Sequence, residues 1–277
     1  MASDADDFVI GVHGLVTRFG AETIHDGIDL AVRRGEVLGI VGGSGTGKSV
    51  LLRTIIGLQR PAAGSVEVLG RDILRVDDAE RRELDQRFGV LFQDGALFSS
   101  LSVAQNIEVP LREHFPVPEP LMAEIAATKI AIVGLPDDAG PKFPAQLSGG
   151  MRKRAGLARA LALDPEIVFL DEPTSGLDPI AAAEFDRLIG DLKASLGLTV
   201  VMATHDLDSL FAICDRVAVL VDKKLRVGTL AQHLRDPHPW IQAYFHGPRG
   251  RAALASEQLP PAADPASAAR FDPAVSS

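Results

Sequence analysis

The residues best suited to do chemistry lie in a glycine-rich stretch from Gly42 to Ser49. It reads Gly-Gly-Ser-Gly-Thr-Gly-Lys-Ser, which fits the phosphate-loop pattern G-x-x-x-x-G-K-[ST] at every position. Glycines lack a Cβ, so successive backbone N–H groups can point into one concavity, and a following helix adds positive potential for anionic phosphate. The stretch therefore predicts a nucleotide site in which Lys48 reaches the β- and γ-phosphates and the Ser49 hydroxyl lies on Mg²⁺.

The sequence on either side of this loop has the required character. An apolar run from Val37 to Val41 predicts a buried strand, and the apolar residues from Val50 to Ile56 predict a helix. The alternative is a chance glycine-rich turn that happens to carry a lysine. The strand–loop–helix order disfavours that alternative, because it is the context in which the pattern binds phosphate.

Two adjacent carboxylates, Asp171 and Glu172, end the apolar run from Ile167 to Leu170. An acidic residue at the tip of a buried strand can hold Mg²⁺, and a second carboxylate beside it can polarise an attacking water. Paired carboxylates at a strand end are ordinarily solvated charges. The buried strand before them and the phosphate loop upstream favour the catalytic interpretation.

Three more residues are candidates by position. Gln93 and His205 each follow a short apolar run, and nucleotide-binding sheets place their ligands at the carboxyl ends of strands. Gln93 is placed to touch metal or water, and His205 to contact a γ-phosphate, although a lone histidine is more often structural. Phe19, ahead of the phosphate loop, either stacks on an adenine ring or packs in the core, and both interpretations stay open.

The composition sets limits on the class of protein. With 277 residues the chain is one large domain or two small ones, and its net charge of −9 argues against a broad nucleic-acid surface. The single cysteine, Cys214, excludes a disulfide framework or a cysteine-based metal site within one chain, and so favours a reducing cytosol. We expect no secretory signal in the acidic N-terminal residues, and no apolar run of roughly 18 residues predicts a membrane span.

The pattern also predicts the elements that hold these residues. Phe8 to Val16 is expected to be an edge strand paired with the segment from Ile28 to Val32. Prolines at 110, 116, 118 and 120 are expected to break the chain before a helix over residues 121–133. Ser148 is expected to cap a helix that runs to Leu163, and Pro179 to start another that ends near Leu196.

The end of the chain carries two further expectations. Four residues near helical spacing, Trp240, Ile241, Tyr244 and Phe245, either form an interface for self-association or pack onto the chain's own domain. The residues from 247 to 277 are rich in alanine, proline and serine, and predict a disordered tail.

With these pieces in order the chain resembles the ATP-binding cassette ATPases, the nucleotide-binding subunits of ABC transporters. The resemblance covers about Phe8 to Gly228 and rests on six motifs. These are Walker A (Gly42 to Ser49), the Q-loop (Gln93), the signature (Leu147 to Met151), Walker B (Ile167 to Asp171, followed by Glu172), the D-loop (Ser175 to Asp178) and the switch histidine (His205).

The resemblance implies an α/β fold, a P-loop NTPase cassette with a RecA-like core sheet, an antiparallel β subdomain and a helical subdomain. The expected domain covers residues 8–246, with the helical subdomain over about 95–163. Two chains are expected to form a head-to-tail homodimer, in which ATP on one chain's phosphate loop is covered by Ser148, Gly149 and Gly150 of the other.

The resemblance also implies a role for each site residue, with ATP and Mg²⁺ as cofactors. The catalytic residues are Glu172 as the base, with His205, Lys48 and Gln93. The metal ligands are Ser49, Gln93 and Asp171. The nucleotide-binding residues are Phe19, Gly42, Gly43, Ser44, Gly45, Thr46, Gly47, Lys48, Ser49, Val50, Ser148, Gly149, Gly150 and Asp178.

Local stretches are most similar to the Mla-type phospholipid-transport ATPases that work with MCE proteins in Gram-negative envelopes. They are Leu147 to Met151, Leu91 to Phe98 and Pro110 to Glu113. Two positions depart from the common family pattern: Met151 stands where glutamine is usual, and Phe19 where tyrosine is usual. The first puts one polar contact in doubt, and the second keeps the ring but loses the hydroxyl.

This resemblance implies a peripheral ATPase at the cytoplasmic face of the inner membrane. Its partners would be an integral-membrane permease gripped by residues 110–144, a STAS-domain protein and a periplasmic MCE lipid-binding protein, with no nucleic acid. Another cargo, such as an amino acid or a drug, stays open because the permease selects it. A soluble non-transport ABC ATPase is disfavoured by the single cassette and the acidic charge, and a catalytically dead scaffold by the intact Lys48, Asp171, Glu172 and His205.

Overall fold

The computed structural model describes residues 8–93 and 95–247, so the tail predicted for residues 247–277 lies, apart from Gly247, outside the described residues. The strands are β1 (Phe8–Phe19), β2 (Glu22–Arg33), β3 (Val37–Gly42), β4 (Ala63–Val68), β5 (Arg71–Asp72), β6 (Phe88–Leu91), β7 (Ile167–Asp171), β8 (Thr199–Ala203), β9 (Arg216–Val221) and β10 (Lys224–Gly228). The α-helices are α1 (Lys48–Ile55), α2 (Asp78–Gln86), α3 (Val103–His114), α4 (Glu119–Ile132), α5 (Gly149–Ala160), α6 (Pro179–Leu196), α7 (Leu207–Ile213), α8 (Leu230–His233) and α9 (Pro239–His246). Short 3-10 helices lie at Asp137–Ala139 and Pro144–Gln146. Within residues 8–93 and 95–247, no helix has the length and apolar character to cross a membrane.

The larger sheet has six strands in the order β10-β9-β3-β8-β7-β6. All neighbours in it are parallel except the β9–β10 pair. Every residue of β3, β7 and β8 is buried, as expected for parallel strands covered on both faces, and this is why they read as unbroken apolar runs. Because β3 lies between β9 and β8, its carboxyl end emerges near the middle of the sheet edge, where such sheets bind ligands.

The smaller sheet is antiparallel and has the order β2-β1-β4-β5. The prediction that the first strand is an edge strand is wrong, because β1 pairs with β2 on one side and with β4 on the other. The sequence pattern could not show this, since the pairing of Ile10 with Val68 joins segments far apart in the chain. Apolar residues of this sheet, α1 and one face of the larger sheet share a single core.

A second correction concerns Pro110, which lies inside α3 and does not break the chain. A proline there leaves the carbonyl of Asn106 without its usual helical partner. The helix persists because Val103 and Ile107 are buried in the core shared with neighbouring helices, and because Ser102 and Gln105 form a capping box at its start. The short helix α7 was not predicted, since its seven residues are too few to establish a period.

The antiparallel sheet supports the phosphate loop through His25 on β2. His25 is fully buried, and its Nδ1 lies 2.8 Å from the hydroxyl of Thr17. Gly47 of the loop has a φ of +104°, and a Cβ there would lie 2.7 Å from His25 Nε2 and 2.4 Å from Ile24 Cγ2. Gly47 therefore has to be glycine both for its backbone angle and for the close approach of β2.

Burial lowers the pKa of His25 to about 4, since a charged imidazole would lose its hydration. The unfolded chain takes up a proton on this residue near pH 6.5, whereas the folded chain does so only near pH 4. We therefore expect the free energy of unfolding to fall by up to about 3 kcal/mol as the pH is lowered through this window. Urea unfolding of the wild type at a series of pH values measures the loss.

The variant His25→Asn should unfold with a flatter dependence on pH, because the buried titrating group is gone. The matched control is His13→Asn, since His13 lies exposed on the neighbouring strand and its replacement should leave the wild-type slope. Equal slopes in the wild type and His25→Asn would show that another group causes the loss of stability.

Candidate functional site

A cavity of about 750 Å³ opens at the carboxyl edge of the larger sheet, a volume suited to a ligand of nucleotide size. It lies among the loops that follow β3, β6, β7 and β8, together with α9. The lining residues are Gly42, Gly43, Ser44, Gly45, Gly47, Lys48, Ser49, Val50, Gln93, Glu172, His205, Trp240 and Tyr244. All of them except the two aromatic residues are sequence-predicted site residues.

The phosphate loop connects the end of β3 to the start of α1. The ammonium of Lys48 donates to the carbonyls of Gly42, at 3.0 Å, and Gly43, at 3.2 Å, so it lies across the loop. Thr46, the one loop residue that does not line the cavity, donates from its hydroxyl to the carbonyl of Gly43 at 2.9 Å. A loop with this lysine at a helix N-terminus has the chemistry to hold an anionic phosphate chain.

Ser49 and Asp171 bring two oxygen atoms together beside the loop. The Ser49 hydroxyl donates to Asp171 Oδ1 at 2.9 Å, and Asp171 is buried. No group of three or more histidine, cysteine, aspartate or glutamate residues suited to a metal occurs in the described part of the chain. A hydroxyl and one carboxylate nevertheless fit Mg²⁺, which takes oxygen ligands and is commonly held by one or two carboxylates together with substrate phosphates.

Glu172 and His205 form a pair on the wall of the cavity. Glu172 Oε2 lies 2.6 Å from His205 Nδ1, and the Glu172 side chain is only 14% exposed, against 62% for His205. Glu172 has a φ of +50°, a left-handed backbone angle that is strained for any residue with a Cβ. The hydrogen bond from its N–H to the carbonyl of Ala203, at 2.8 Å, helps to hold this conformation. A largely buried carboxylate that faces the phosphate loop is suited to general-base work.

Sequence reasoning missed Lys153 on α5. Its buried ammonium donates to the backbone carbonyls of Gln93 and of Glu172, the latter at 2.9 Å. It therefore ties the loop after β6 to the loop after β7. The available signal was a lysine on a helix face whose other buried residues are alanine, glycine and leucine.

Five predicted residues lie away from the cavity of their own chain. Phe19 ends β1 with its side chain half exposed. Ser148 caps α5 by accepting a hydrogen bond from the N–H of Met151 at 3.2 Å, next to Gly149 and Gly150. Asp178 caps α6, where it accepts hydrogen bonds from two backbone N–H groups at 3.0 Å. Within one chain these residues shape helix ends and the surface.

Comparison with known proteins gives a consistent result. The sequence profile of the ABC transporter family matches residues 25–175. The probable ribonucleotide transport ATP-binding protein Mkl of Mycobacterium tuberculosis is 43% identical over 241 residues, which cover 87% of this chain and 67% of that protein. The intermembrane phospholipid transport system ATP-binding protein MlaF of Haemophilus influenzae is 40% identical over 240 residues, covering 86% and 90%.

Two other similar proteins extend the comparison. The methionine import ATP-binding protein MetN of Lacticaseibacillus paracasei is 42% identical over 246 residues, covering 87% of this chain and 69% of that protein. A dimeric ATP-binding cassette bound to ADP and Pi in a post-hydrolysis state has a TM-score of 0.73 and 28% identity, and the match covers 80% of this chain and 98% of that one.

The family profile matches more than half of the chain, and the phosphate loop, the Ser49–Asp171 pair and the Glu172–His205 pair stand in one place on a cassette fold. The chain therefore belongs to the ABC transporter family, as an ATP-binding subunit that hydrolyses ATP.

Proposed function

We propose that this chain hydrolyses ATP with Mg²⁺ at the described cavity, and that hydrolysis drives phospholipid transport through a separate integral-membrane permease. The observation that carries the proposal is the 2.6 Å contact between Glu172 and His205 in the same cavity as the phosphate loop. This contact supports the proposal, because a carboxylate that a second side chain orients, in the same cavity as the phosphate loop, is suited to act as the base in phosphoryl transfer.

Each site residue takes one role in this proposal. Lys48 and the loop amides bind the phosphates. Ser49 and Asp171 hold Mg²⁺, together with Gln93 from the loop after β6. Bound Mg²⁺ would neutralise part of the phosphate charge. Glu172 orients and deprotonates the attacking water, while His205 holds the Glu172 carboxylate and faces the γ-phosphate. Catalysis of this kind consists mostly of positioning and charge stabilisation.

A second copy of the chain completes each site. Ser148, Gly149 and Gly150 lie at the N-terminus of α5, a 12-residue helix, and none of them lines the cavity of its own chain. Backbone amides at such a helix start suit a phosphate from another chain. In the head-to-tail homodimer, that phosphate belongs to the ATP bound by the other chain. Asp178 lies at the interface between the two chains. Phe19 stacks on the adenine.

The cargo is proposed from the relatives and from local sequence. MlaF of Haemophilus influenzae is named for intermembrane phospholipid transport, and the match covers 90% of it. We extend that cargo to this chain, with a STAS-domain protein and a periplasmic MCE protein as further partners at the cytoplasmic face of the inner membrane. In this proposal residues 8–246 form the ATPase domain, and a helical subdomain over about 95–163 contacts the permease. Another cargo is the second candidate, because MetN is named for methionine import.

The first test removes the proposed base. We expect Glu172→Gln to keep its affinity for ATP but to lose about 100-fold or more in turnover, because the amide cannot accept the proton of the attacking water. Phosphate release and equilibrium ATP binding measure the two effects separately. The matched control is Glu184→Gln, the same substitution at an exposed carboxylate, which should keep wild-type turnover. Wild-type hydrolysis by Glu172→Gln would remove Glu172 from its role.

The second test asks whether each site is shared between two chains. We expect Lys48→Ala and Ser148→Arg each to be inactive alone, because each loses one half of every site. A one-to-one mixture should recover up to about a quarter of wild-type hydrolysis, since half of the dimers are mixed and each mixed dimer has one intact site. A mixture as inactive as its components would contradict the shared site.

The third test concerns the cargo. We expect the tagged chain, purified from detergent-solubilised membranes of its own cell, to carry a polytopic permease, a STAS-domain protein and an MCE protein. In liposomes, the complex should couple ATP hydrolysis to the movement of fluorescent phospholipid. Recovery with a permease that moves radiolabelled methionine and leaves phospholipid in place would favour the second candidate.

A further inference from the structure

The helix α9 brings two aromatic side chains to the nucleotide cavity. Trp240 and Tyr244 are four residues apart and so share one face of the helix, and their rings stack with centroids 4.8 Å apart and planes inclined by 13°. Both line the cavity, whereas Ile241 and Phe245 are fully buried in the core of their own domain. The structure therefore shows packing of this segment onto the chain's own domain, and self-association through it stays a prediction.

The two rings lie next to different parts of the site. A Cβ placed on Gly43 of the phosphate loop would lie 3.8 Å from Trp240 Nε1. The Tyr244 hydroxyl donates to the backbone carbonyl of His205 at 3.2 Å. Since the His205 ring contacts the carboxylate of Glu172, the Tyr244 hydroxyl is one residue removed from the proposed base.

The helix that carries these rings is firmly attached. Phe245 packs edge-on against Tyr244, with centroids 5.1 Å apart, and lies parallel to His233, with centroids 5.9 Å apart. The Gln242 amide donates to the carbonyl of Asp236 at 2.5 Å, which fixes the helix to the segment before it. The stacked pair is therefore held on a rigid support, as a positioning group requires.

We propose that Tyr244 is a positioning residue for ATP hydrolysis, which holds the backbone of His205 so that the Glu172–His205 pair faces the phosphate loop, and that Trp240 forms the cavity wall beside the phosphates. This inference rests on the proposed function and adds to it a contribution from α9. The six motifs of the resemblance all lie before this helix.

The chemistry of Tyr244 supports this role. Burial, together with the nearby charges of Asp206 and Glu172, raises the pKa of the Tyr244 hydroxyl. The hydroxyl therefore stays protonated, and remains a donor to the His205 carbonyl, over the whole pH range in which such an enzyme works.

The test of positioning is Tyr244→Phe, which keeps the ring stack and deletes only the donor. We expect kcat to fall about tenfold, the size of effect that one lost hydrogen bond gives, with KM for ATP and the melting temperature unchanged. A general loss of structure would lower the melting temperature, so the three readouts separate the two explanations. The matched control is Ala243→Ser, a change on the exposed side of the same helix, which should keep the wild-type kcat.

The role of Trp240 in the cavity wall can be tested by fluorescence, since Trp240 is the only tryptophan of the chain. We expect its emission to change on titration with Mg²⁺ and ADP, with the same midpoint as in calorimetry. Binding seen by calorimetry without any change in emission would overturn the role of Trp240, and wild-type kcat in Tyr244→Phe would overturn that of Tyr244. Either result leaves the proposed function standing, whereas absence of binding in calorimetry would overturn both.

Discussion

The site depends on one constraint, the burial of parallel strands on both faces of the larger sheet. Because β3, β7 and β8 are buried on both faces, a shift of one residue would exchange the side chains packed in the two cores on either side of the sheet, and so their carboxyl ends stay at a common edge. The register places Asp171 beside Ala203, and Ala203 beside Ile40. The residues that follow each strand are thereby brought together, although 122 positions separate Ser49 from Asp171 and 33 separate Glu172 from His205.

Much of this arrangement was predictable from the sequence. Four parts of the site could be located because each follows a short apolar run that predicts a strand. They are the phosphate loop, Gln93, the Asp171–Glu172 pair and His205. The central position of β1 and the helix through Pro110 were not predictable, since they depend on tertiary pairing and on buried neighbours. The contacts of Lys153 and Tyr244 were not predictable for a similar reason. Both side chains donate hydrogen bonds to backbone carbonyls, and a sequence pattern does not show which carbonyl a side chain will reach.

Some predicted site residues have a structural role within one chain. Ser148 and Asp178 cap helices here, so their side chains have a structural use whether or not a nucleotide comes near them.

The net charge of −9 is at first sight unfavourable for a protein that binds ATP. The negative net charge and ATP binding are compatible, because the Lys48 ammonium and the phosphate loop line the cavity itself, and local donors outweigh distant screened charges.

The left-handed backbone of Glu172 affects which residues can evolve at this position. That conformation costs on the order of 1–2 kcal/mol for a residue with a side chain, and glycine would adopt it freely. Selection for thermal stability alone would thus favour glycine at this position, and glycine has no side chain to supply a carboxylate. With Glu172 as the proposed base, an acid retained at this turn lowers the stability of the fold in favour of activity.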